Sequence, residues 1–144
     1  LIDGFQGEYR WLSNFWIHDT HRGISVEHLY QAAKATTLED YLLIMSAETP
    51  GDAKRYGKLM IGRSDWLEIR VTLMEQFTRE KYATNATLRE KLLATKGMYI
   101  QETNTWGDTF WGVCGGQGEN KLGQILMNIR DKFLVYDTPM LYYI

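Results

Sequence analysis

Three polar side chains on one predicted helix have the types and spacing for chemistry. Glu27, Gln31 and Lys34 stand at i, i+4 and i+7, which places a carboxylate, an amide and an ammonium on one helix face, beside its apolar stripe. One interpretation is a solvated face with a weak ion pair. The other is a glutamate whose charge is held by its neighbours and serves as an acid, a base or an electrostatic stabiliser. His28 beside it is more typical of a packed or capping residue than of a ligand.

A second carboxylate lies in a glycine-rich segment between two tryptophans. Asp108 stands between Trp106 and Trp111, where an aromatic wall would exclude water and stack on a ring-shaped substrate. The alternative is an Asx turn flanked by core aromatic residues. Two carboxylates from distant parts of a chain fit the acid and base roles of glycoside hydrolysis. The turn before Lys121 could also offer free backbone N–H groups to an anion such as a sugar phosphate.

Metal and thiol chemistry are poorly supported by the sequence. His18 and His21 have no third potential ligand nearby, although a zinc site takes three or four. Cys114 lies in a glycine-rich loop without a histidine base close to it in the sequence. We therefore expect no metal and no other cofactor.

Six predicted helices position these groups. Ser25 is predicted to cap the first helix, and Thr49 to cap the third, which Gly57 would end. Periodicity and stop signals place the helices at about residues 25–35, 39–47, 50–57, 65–82, 85–97 and 121–134. The fourth helix is predicted to bury an apolar stripe that consists of Trp66, Ile69, Leu73, Phe77 and Tyr82.

Strand signals are short by comparison. Residues 5–16 are aromatic and partly alternating, which predicts short strands and turns, and residues 98–102 predict another short strand. Residues 103–120 form a long irregular segment, of a length that is usually functional when it is ordered. The sequence therefore predicts a mainly α (α+β) fold.

Length and charge limit the possible partners. A chain of 144 residues predicts a single domain over residues 1–144, with an apolar tail at 135–144. The formal charge of −2 argues against strong electrostatic attraction to nucleic acid or membrane, and no apolar run approaches the roughly 20 residues that span a bilayer. One cysteine excludes an internal disulfide, which favours a cytoplasmic location.

A series of motifs resembles one known family. The motifs keep the family's order over about residues 5–134, and this ordered set is more specific than any single motif. The sequence is similar to the YbiA-like, or NADAR, family of N-glycosidases, through the segments Gly7–Phe15, Val26–Lys34, Thr49–Lys54, Gly62–Trp66, Asp108–Gly112 and Gly118–Arg130.

This resemblance implies a compact, mostly helical domain that hydrolyses the bond between a ribosyl carbon and a base nitrogen. Its substrate would be a phosphoribosylamino-pyrimidine intermediate of riboflavin synthesis or a related ribosyl N-glycoside. One alternative is a glycohydrolase that removes ADP-ribose from modified guanine, including a nucleobase in nucleic acid. Another is a non-catalytic module that binds ADP-ribose or a nucleotide.

The resemblance also implies roles for individual residues. Glu27 and Asp108 correspond to the catalytic carboxylates, and Trp66 and Trp111 to the walls of the substrate pocket. The remaining predicted substrate contacts are Arg10, Ser13, Asn14, Gln31, Lys34, Gly112 and Asn120.

Overall fold

A computed structural model describes residues 1–136 of the chain and confirms the mainly helical fold with a few short strands. Apart from Val135 and Tyr136, the predicted apolar tail lies outside the described residues. After β1 (Ile2–Asp3) comes a 3-10 helix (Gly7–Leu12). The elements that follow are β2 (Ile17–Asp19), β3 (Ile24–Ser25), α1 (Val26–Ala32), α2 (Leu38–Met45), α3 (Pro50–Leu59), α4 (Trp66–Ala83), α5 (Ala86–Leu93), β4 (Ile100–Gln101), β5 (Thr103–Asn104), β6 (Val113–Cys114) and α6 (Lys121–Tyr136).

The chain divides into two compact units. The helical unit comprises Gly7–Asn85, and the mixed unit comprises Leu1–Gln6 together with residues 86–136. In the helical unit α1 packs against α2, α3 and α4. A core cluster there contains Ala32, Ile44, Ala47 and Ala53. The single-domain organisation stays a prediction.

The mixed unit is built on two parallel strand pairs and two helices. β1 pairs with β4 through Ile2 and Ile100, and β5 pairs with β6 through Thr103 and Val113. α6 packs against β4 and α5. The buried apolar side chains of the mixed unit include Leu88, Leu92, Leu122, Leu126 and Ile129. Among residues 1–136, no helix has both the length and the apolar character needed to cross a membrane.

The predicted caps of α1 and α3 are confirmed. The Ser25 hydroxyl accepts the His28 backbone N–H at 3.2 Å, and Nδ1 of His28 accepts the Ser25 backbone N–H at 3.1 Å. This reciprocal pair is a capping box with histidine at its third position. Nε2 of His28 lies 2.9 Å from the Ala47 carbonyl oxygen, so His28 is a packed capping residue, as expected. In α3 the Thr49 hydroxyl accepts the Asp52 N–H at 3.0 Å.

The prediction of strands within residues 5–16 is wrong, because half of this segment forms the 3-10 helix Gly7–Leu12 and none of it lies in a strand. Trp11 and Leu12 are buried, and Trp11 meets the Tyr82 ring edge-on at 6.4 Å between centroids. Tertiary packing against α4, rather than pairing with another strand, therefore determines the local structure of this aromatic segment.

Two predictions about helix faces and ends are also wrong. Gly57 does not end α3 but lies buried inside it. The fully buried face of α4 consists of Met74, Thr78, Lys81 and Tyr82. Of the predicted stripe only Tyr82 belongs to that face, since Trp66, Ile69, Leu73 and Phe77 are only partly buried.

Candidate active site

Glu27 is a buried carboxylate in the first turn of α1, with 6 % of its surface exposed. Its backbone N–H donates to the Asn14 carbonyl at 3.1 Å. Its Oε1 accepts a hydrogen bond from Nε2 of Gln31 at 2.8 Å. Burial raises the pKa of Glu27, and the Gln31 hydrogen bond together with the charges of Lys54 and Lys34 opposes that rise. Because Glu27 and Gln31 are both buried, the interpretation as a solvated helix face is wrong.

The Gln31 amide is held between Glu27 and the backbone of α3. A Cβ atom at Gly57 would overlap Oε1 of Gln31 and would lie only 2.9 Å from its Cδ. Gly57 is therefore the residue of α3 that lets the amide approach this closely. Oε1 of Gln31 is buried and accepts no hydrogen bond within residues 1–136. The amide thus has one donor group engaged by Glu27 and one acceptor still available.

Lys34 lies beside two aromatic rings. Its Nζ atom is 5.6 Å from the Tyr30 ring centroid and 5.5 Å from the Trp66 ring centroid. The two rings are 4.9 Å apart and tilted by 59°. Burial lowers the pKa of Lys34, and the nearby Glu27 carboxylate partly offsets that effect. The structure therefore brings Glu27, Gln31, Lys34 and Trp66 into one region, where a cation, a carboxylate and flat apolar surfaces are combined.

The turn that follows the 3-10 helix contributes Ser13 and Asn14. The Ser13 hydroxyl accepts the Phe15 N–H at 3.0 Å, and Nδ2 of Asn14 donates to the Met74 sulfur at 3.3 Å. The Asn14 carbonyl reaches Glu27, as described above. Phe15, which the sequence analysis did not select, is 44 % exposed, and its ring lies 5.9 Å from Nζ of Lys54. Arg10 is exposed in the 3-10 helix.

Asp108 belongs to the mixed unit and forms an Asx turn. Its Oδ1 accepts the N–H groups of Phe110 at 3.1 Å and Trp111 at 2.9 Å. Its own backbone exchanges two hydrogen bonds with the Asn104 side chain, at 3.0 Å and 2.8 Å. The Asx-turn interpretation is therefore confirmed for Oδ1. The catalytic role of Asp108 stays a prediction.

Trp111 and Gly112 follow this turn. Trp111 is partly buried and packs edge-on against Phe110, with ring centroids 4.8 Å apart, whereas Trp106 is 61 % exposed. A Cβ atom at Gly112 would overlap the Glu102 backbone carbonyl and carboxylate. The close approach of two chain segments therefore requires glycine at this position. Glu102 is another carboxylate of the mixed unit and was not predicted as a site residue.

The Asn120 side chain holds β4 near the start of α6. Its Oδ1 accepts the Glu102 N–H at 2.9 Å, and its Nδ2 donates to the Ile100 carbonyl at 3.0 Å. With φ at +51°, Asn120 adopts a left-handed conformation that asparagine tolerates well. These bonds give Asn120 a structural role, and its contact with substrate stays a prediction.

The first N–H groups of α6 are not free, so the prediction that an anion finds free N–H groups is wrong at this helix end. The Lys121 N–H donates to the Phe110 carbonyl at 3.2 Å, and the Leu122 N–H donates to the Trp111 carbonyl at 2.9 Å. The loop that carries Asp108 thus caps the helix with its own carbonyl groups. An anion would have to displace these bonds to reach the two N–H groups.

Comparison with known proteins places the chain in a family. The sequence matches the NADAR domain over residues 4–134. This chain belongs to the NADAR family. The resemblance found in its motifs is thereby confirmed. An N-glycosidase of Nostoc punctiforme is 36 % identical over 135 residues, which cover 86 % of this chain and 85 % of the relative.

Two further proteins extend the comparison. The N-glycosidase YbiA of Escherichia coli is 32 % identical over 112 residues, covering 76 % of this chain and 69 % of YbiA. The NMR structure of E. coli YbiA superimposes with a TM-score of 0.80 at 29 % identity, covering 95 % of this chain and 89 % of that one.

A longer relative is similar to this chain over only a part of its own length. A riboflavin biosynthesis protein of Vibrio vulnificus is 38 % identical over 111 residues, which cover 75 % of this chain but 30 % of the relative. The NADAR chain therefore spans less than a third of the length of that protein.

The buried cation Lys81 of this NADAR domain was not predicted from the sequence. Lys81 is 1 % exposed, and its Nζ donates to the carbonyl oxygens of Trp11 at 2.6 Å and Ser13 at 3.0 Å. A spacing signal exists, because Met74, Thr78 and Lys81 stand at i, i+4 and i+7 and so share a helix face.

In the part of the chain that the structure describes, no three His, Cys, Asp or Glu residues are grouped as metal ligands.

Proposed function

We propose that this protein is an N-glycosidase that hydrolyses the ribosyl C–N bond of a phosphoribosylamino-pyrimidine intermediate of riboflavin synthesis. The observation that carries the proposal is the buried Glu27 carboxylate, hydrogen-bonded to Gln31 and surrounded by Lys34 and Lys54. Two relatives support the N-glycosidase part of the proposal, since both are named N-glycosidases.

The chemistry of C–N cleavage requires a group that responds to positive charge on the sugar. The ring becomes oxocarbenium-like as the bond breaks, and a carboxylate on one side stabilises that cation or activates water to attack it. Glu27 is suited to this task because burial excludes water from its carboxylate and raises its pKa. Gln31 keeps the carboxylate in one orientation, so little reorganisation is needed when the charge develops.

Asp108 is proposed as the second carboxylate, which assists the departure of the base nitrogen. Its Oδ1 is engaged by the N–H groups of Phe110 and Trp111, and its Oδ2 has no hydrogen bond within residues 1–136. The engaged oxygen holds the group in place, and the other oxygen is the one that would meet a substrate.

Binding is proposed to use aromatic surfaces for the ring and cations for the phosphate. Trp66 and Trp111 provide flat surfaces on which a base can stack. Lys34 and Arg10 provide positive charge for a phosphate ester. The polar contacts proposed for the remainder of the substrate come from Ser13, Asn14, Gln31, Gly112 and Asn120.

The test replaces Glu27 by glutamine, which keeps the side-chain volume and removes the charge. Wild-type protein, Glu27→Gln and the control Glu68→Gln are incubated with an aminouracil ribosylamine phosphate, and released ribose 5-phosphate is measured by mass spectrometry. Glu68 is an exposed glutamate of α4, so its variant should match the wild type. We expect Glu27→Gln to lose on the order of 10²-fold or more in kcat. Release at the wild-type rate by this variant would exclude Glu27 as the reacting carboxylate.

A second candidate function is the removal of ADP-ribose from a modified guanine. It is favoured by the exposed Phe15 ring next to Lys54, because a flat ring with a nearby cation can hold a second nucleobase and its phosphates. The same assay with guanine-ADP-ribosylated DNA separates the candidates, since only the second function releases ADP-ribose. Binding of ADP-ribose without release from either substrate would favour the non-catalytic module.

A further inference from the structure

Lys81 is a buried ammonium group that the proposed reaction does not use. It forms no ion pair within residues 1–136, and its hydrogen bonds are those to the Trp11 and Ser13 carbonyls. Burying an ammonium without a carboxylate is costly. A methionine of similar length would fill the same space without that cost. The two bonds to the backbone are therefore the feature that an apolar residue at this position would not reproduce.

The Trp11 carbonyl lies just before the Ser13–Asn14 turn, and the Ser13 carbonyl lies within it. The Ser13 carbonyl also accepts the Trp16 N–H at 3.1 Å, and the Asn14 carbonyl accepts the Glu27 N–H at 3.1 Å. The turn is thus tied to α4 through Lys81 and connected to α1 at Glu27 itself. Movement of the turn would change both the proposed substrate contacts and the first turn of α1.

The charged groups around Lys81 do not provide an alternative explanation. His18 faces it from β2, and burial, with a smaller contribution from Lys81, lowers the pKa of His18 to about 4. His18 is therefore neutral at pH 7 and is not a counterion. The Tyr82 ring centroid lies 5.2 Å from Nζ and adds a cation–π contact of modest strength. Nζ of Lys81 consequently interacts mainly with backbone carbonyl dipoles.

We infer that Lys81 is a positioning residue for the Glu27 site, because its amino group holds the backbone of residues 11–14 in the place where the Asn14 carbonyl accepts the Glu27 N–H. The inference rests on the proposed function for its effect on turnover. Its effect on the backbone can be measured without any substrate, which keeps the two proposals separable.

The kinetic test compares wild type, Lys81→Met, Lys81→Arg and the control Lys91→Met, which alters an exposed lysine of α5. All are measured well below their melting temperatures with the ribosylamine phosphate substrate. We expect Lys81→Met to lower kcat/KM by about 10-fold to 100-fold, with a raised KM, since small displacements at a site have effects of this size. Lys81→Arg should recover part of the loss because a guanidinium can donate to both carbonyls. A lower melting temperature with unchanged kcat and KM would overturn the inference.

The second test follows backbone protection by amide hydrogen exchange at constant pH. In Lys81→Met the Trp16 and Glu27 amides, which donate to the Ser13 and Asn14 carbonyls, should exchange at least about 10-fold faster. The Ala53 amide of α3, which donates to Thr49, should be unchanged. Equal protection of Trp16 and Glu27 in variant and wild type would refute the inference whatever the substrate proves to be. Lys81→Gln, a shorter neutral donor, replaces Lys81→Met in both tests if the methionine variant does not fold.

Discussion

The buried ammonium of Lys81 predicts a stability that rises between pH 7 and pH 9. Burial lowers the pKa of Lys81 from 10.5 to about 7. Between these values the unfolded chain binds one more proton than the folded protein, so the free energy of unfolding increases with pH. The destabilisation caused by burying the charged lysine is fully present below pH 7 and decreases as the pH rises. It is absent above about pH 10.5, where the lysine is neutral in both the folded and the unfolded state.

The size of the effect follows from the two pKa values. In the pH range where only the unfolded lysine is charged, the free energy of unfolding changes by roughly 1.4 kcal/mol per pH unit. At the pKa of the folded lysine the change per pH unit is half as large. From pH 7 to pH 9 the contribution of Lys81 to the free energy of unfolding should rise by about 2 kcal/mol. Lys34 has the same sign because burial lowers its pKa also. Tyr82 has the opposite sign above pH 10, because burial raises its pKa.

Urea unfolding at pH 7, 8 and 9 provides the assay, with wild type, Lys81→Met and Lys91→Met compared at each pH. Subtraction of the Lys81→Met values removes Lys34 and every other shared group. We expect the difference between wild type and Lys81→Met to grow by about 2 kcal/mol in favour of the wild type, while Lys91→Met stays parallel to the wild type. Parallel curves for wild type and Lys81→Met would refute the reasoning, because they would mean that Lys81 is not desolvated in the folded protein.

Three substitutions test the packing around the candidate site. Gly57→Ala places a methyl group against the Gln31 amide and should lower the free energy of unfolding by about 1 to 3 kcal/mol, as well as turnover by about 10-fold. The control Gly51→Ala lies in the same helix, where an added Cβ would meet only the Thr49 hydroxyl oxygen at an ordinary contact distance of 3.8 Å, and it should leave both quantities nearly unchanged. Equal behaviour of the two variants in urea unfolding and the ribose release assay would contradict this. Ser25→Ala removes the cap of α1 and should cost about 1 to 2 kcal/mol by thermal unfolding, so an unchanged melting temperature would count against the capping box. Gly112→Ala forces a side chain against a backbone carbonyl and should cost about 2 kcal/mol or more in urea, whereas a stability equal to the wild type would show that the two segments lie further apart.

Local signals were the most predictive part of the sequence. The caps Ser25 and Thr49 could be predicted because the side-chain oxygen of an N-cap residue accepts a hydrogen bond from a backbone N–H in the next turn of the same helix. The spacing of Glu27 and Gln31 also predicted that the two side chains are neighbours on one helix face, and in the structure a hydrogen bond joins them. Such contacts are contained within one turn of the chain, so the sequence specifies them directly.

Predictions failed where residues distant in sequence decide the outcome. Gly57 has the composition signal of a helix stop, yet it lies inside α3. Glycine is needed at this position because the Gln31 amide occupies the space that a side chain would fill. Lysine is a residue type that is mostly exposed, yet Lys81 is among the most buried side chains. Its partners are carbonyl groups some 70 positions earlier in the chain, and backbone carbonyls carry no signature in a sequence.

The sequence by itself determined the family, the helices, the caps of α1 and α3 and the neighbouring pair of Glu27 and Gln31, since these depend on motif order and on contacts within a turn or two of helix. The tertiary structure decided that Glu27 is buried, that Lys34 lies beside Trp66 and that the Asp108 loop caps α6 with its own carbonyls. Burial and long-range hydrogen bonds arise only when separate elements pack, and the pKa of Glu27 and the environment of Lys81 follow from that packing.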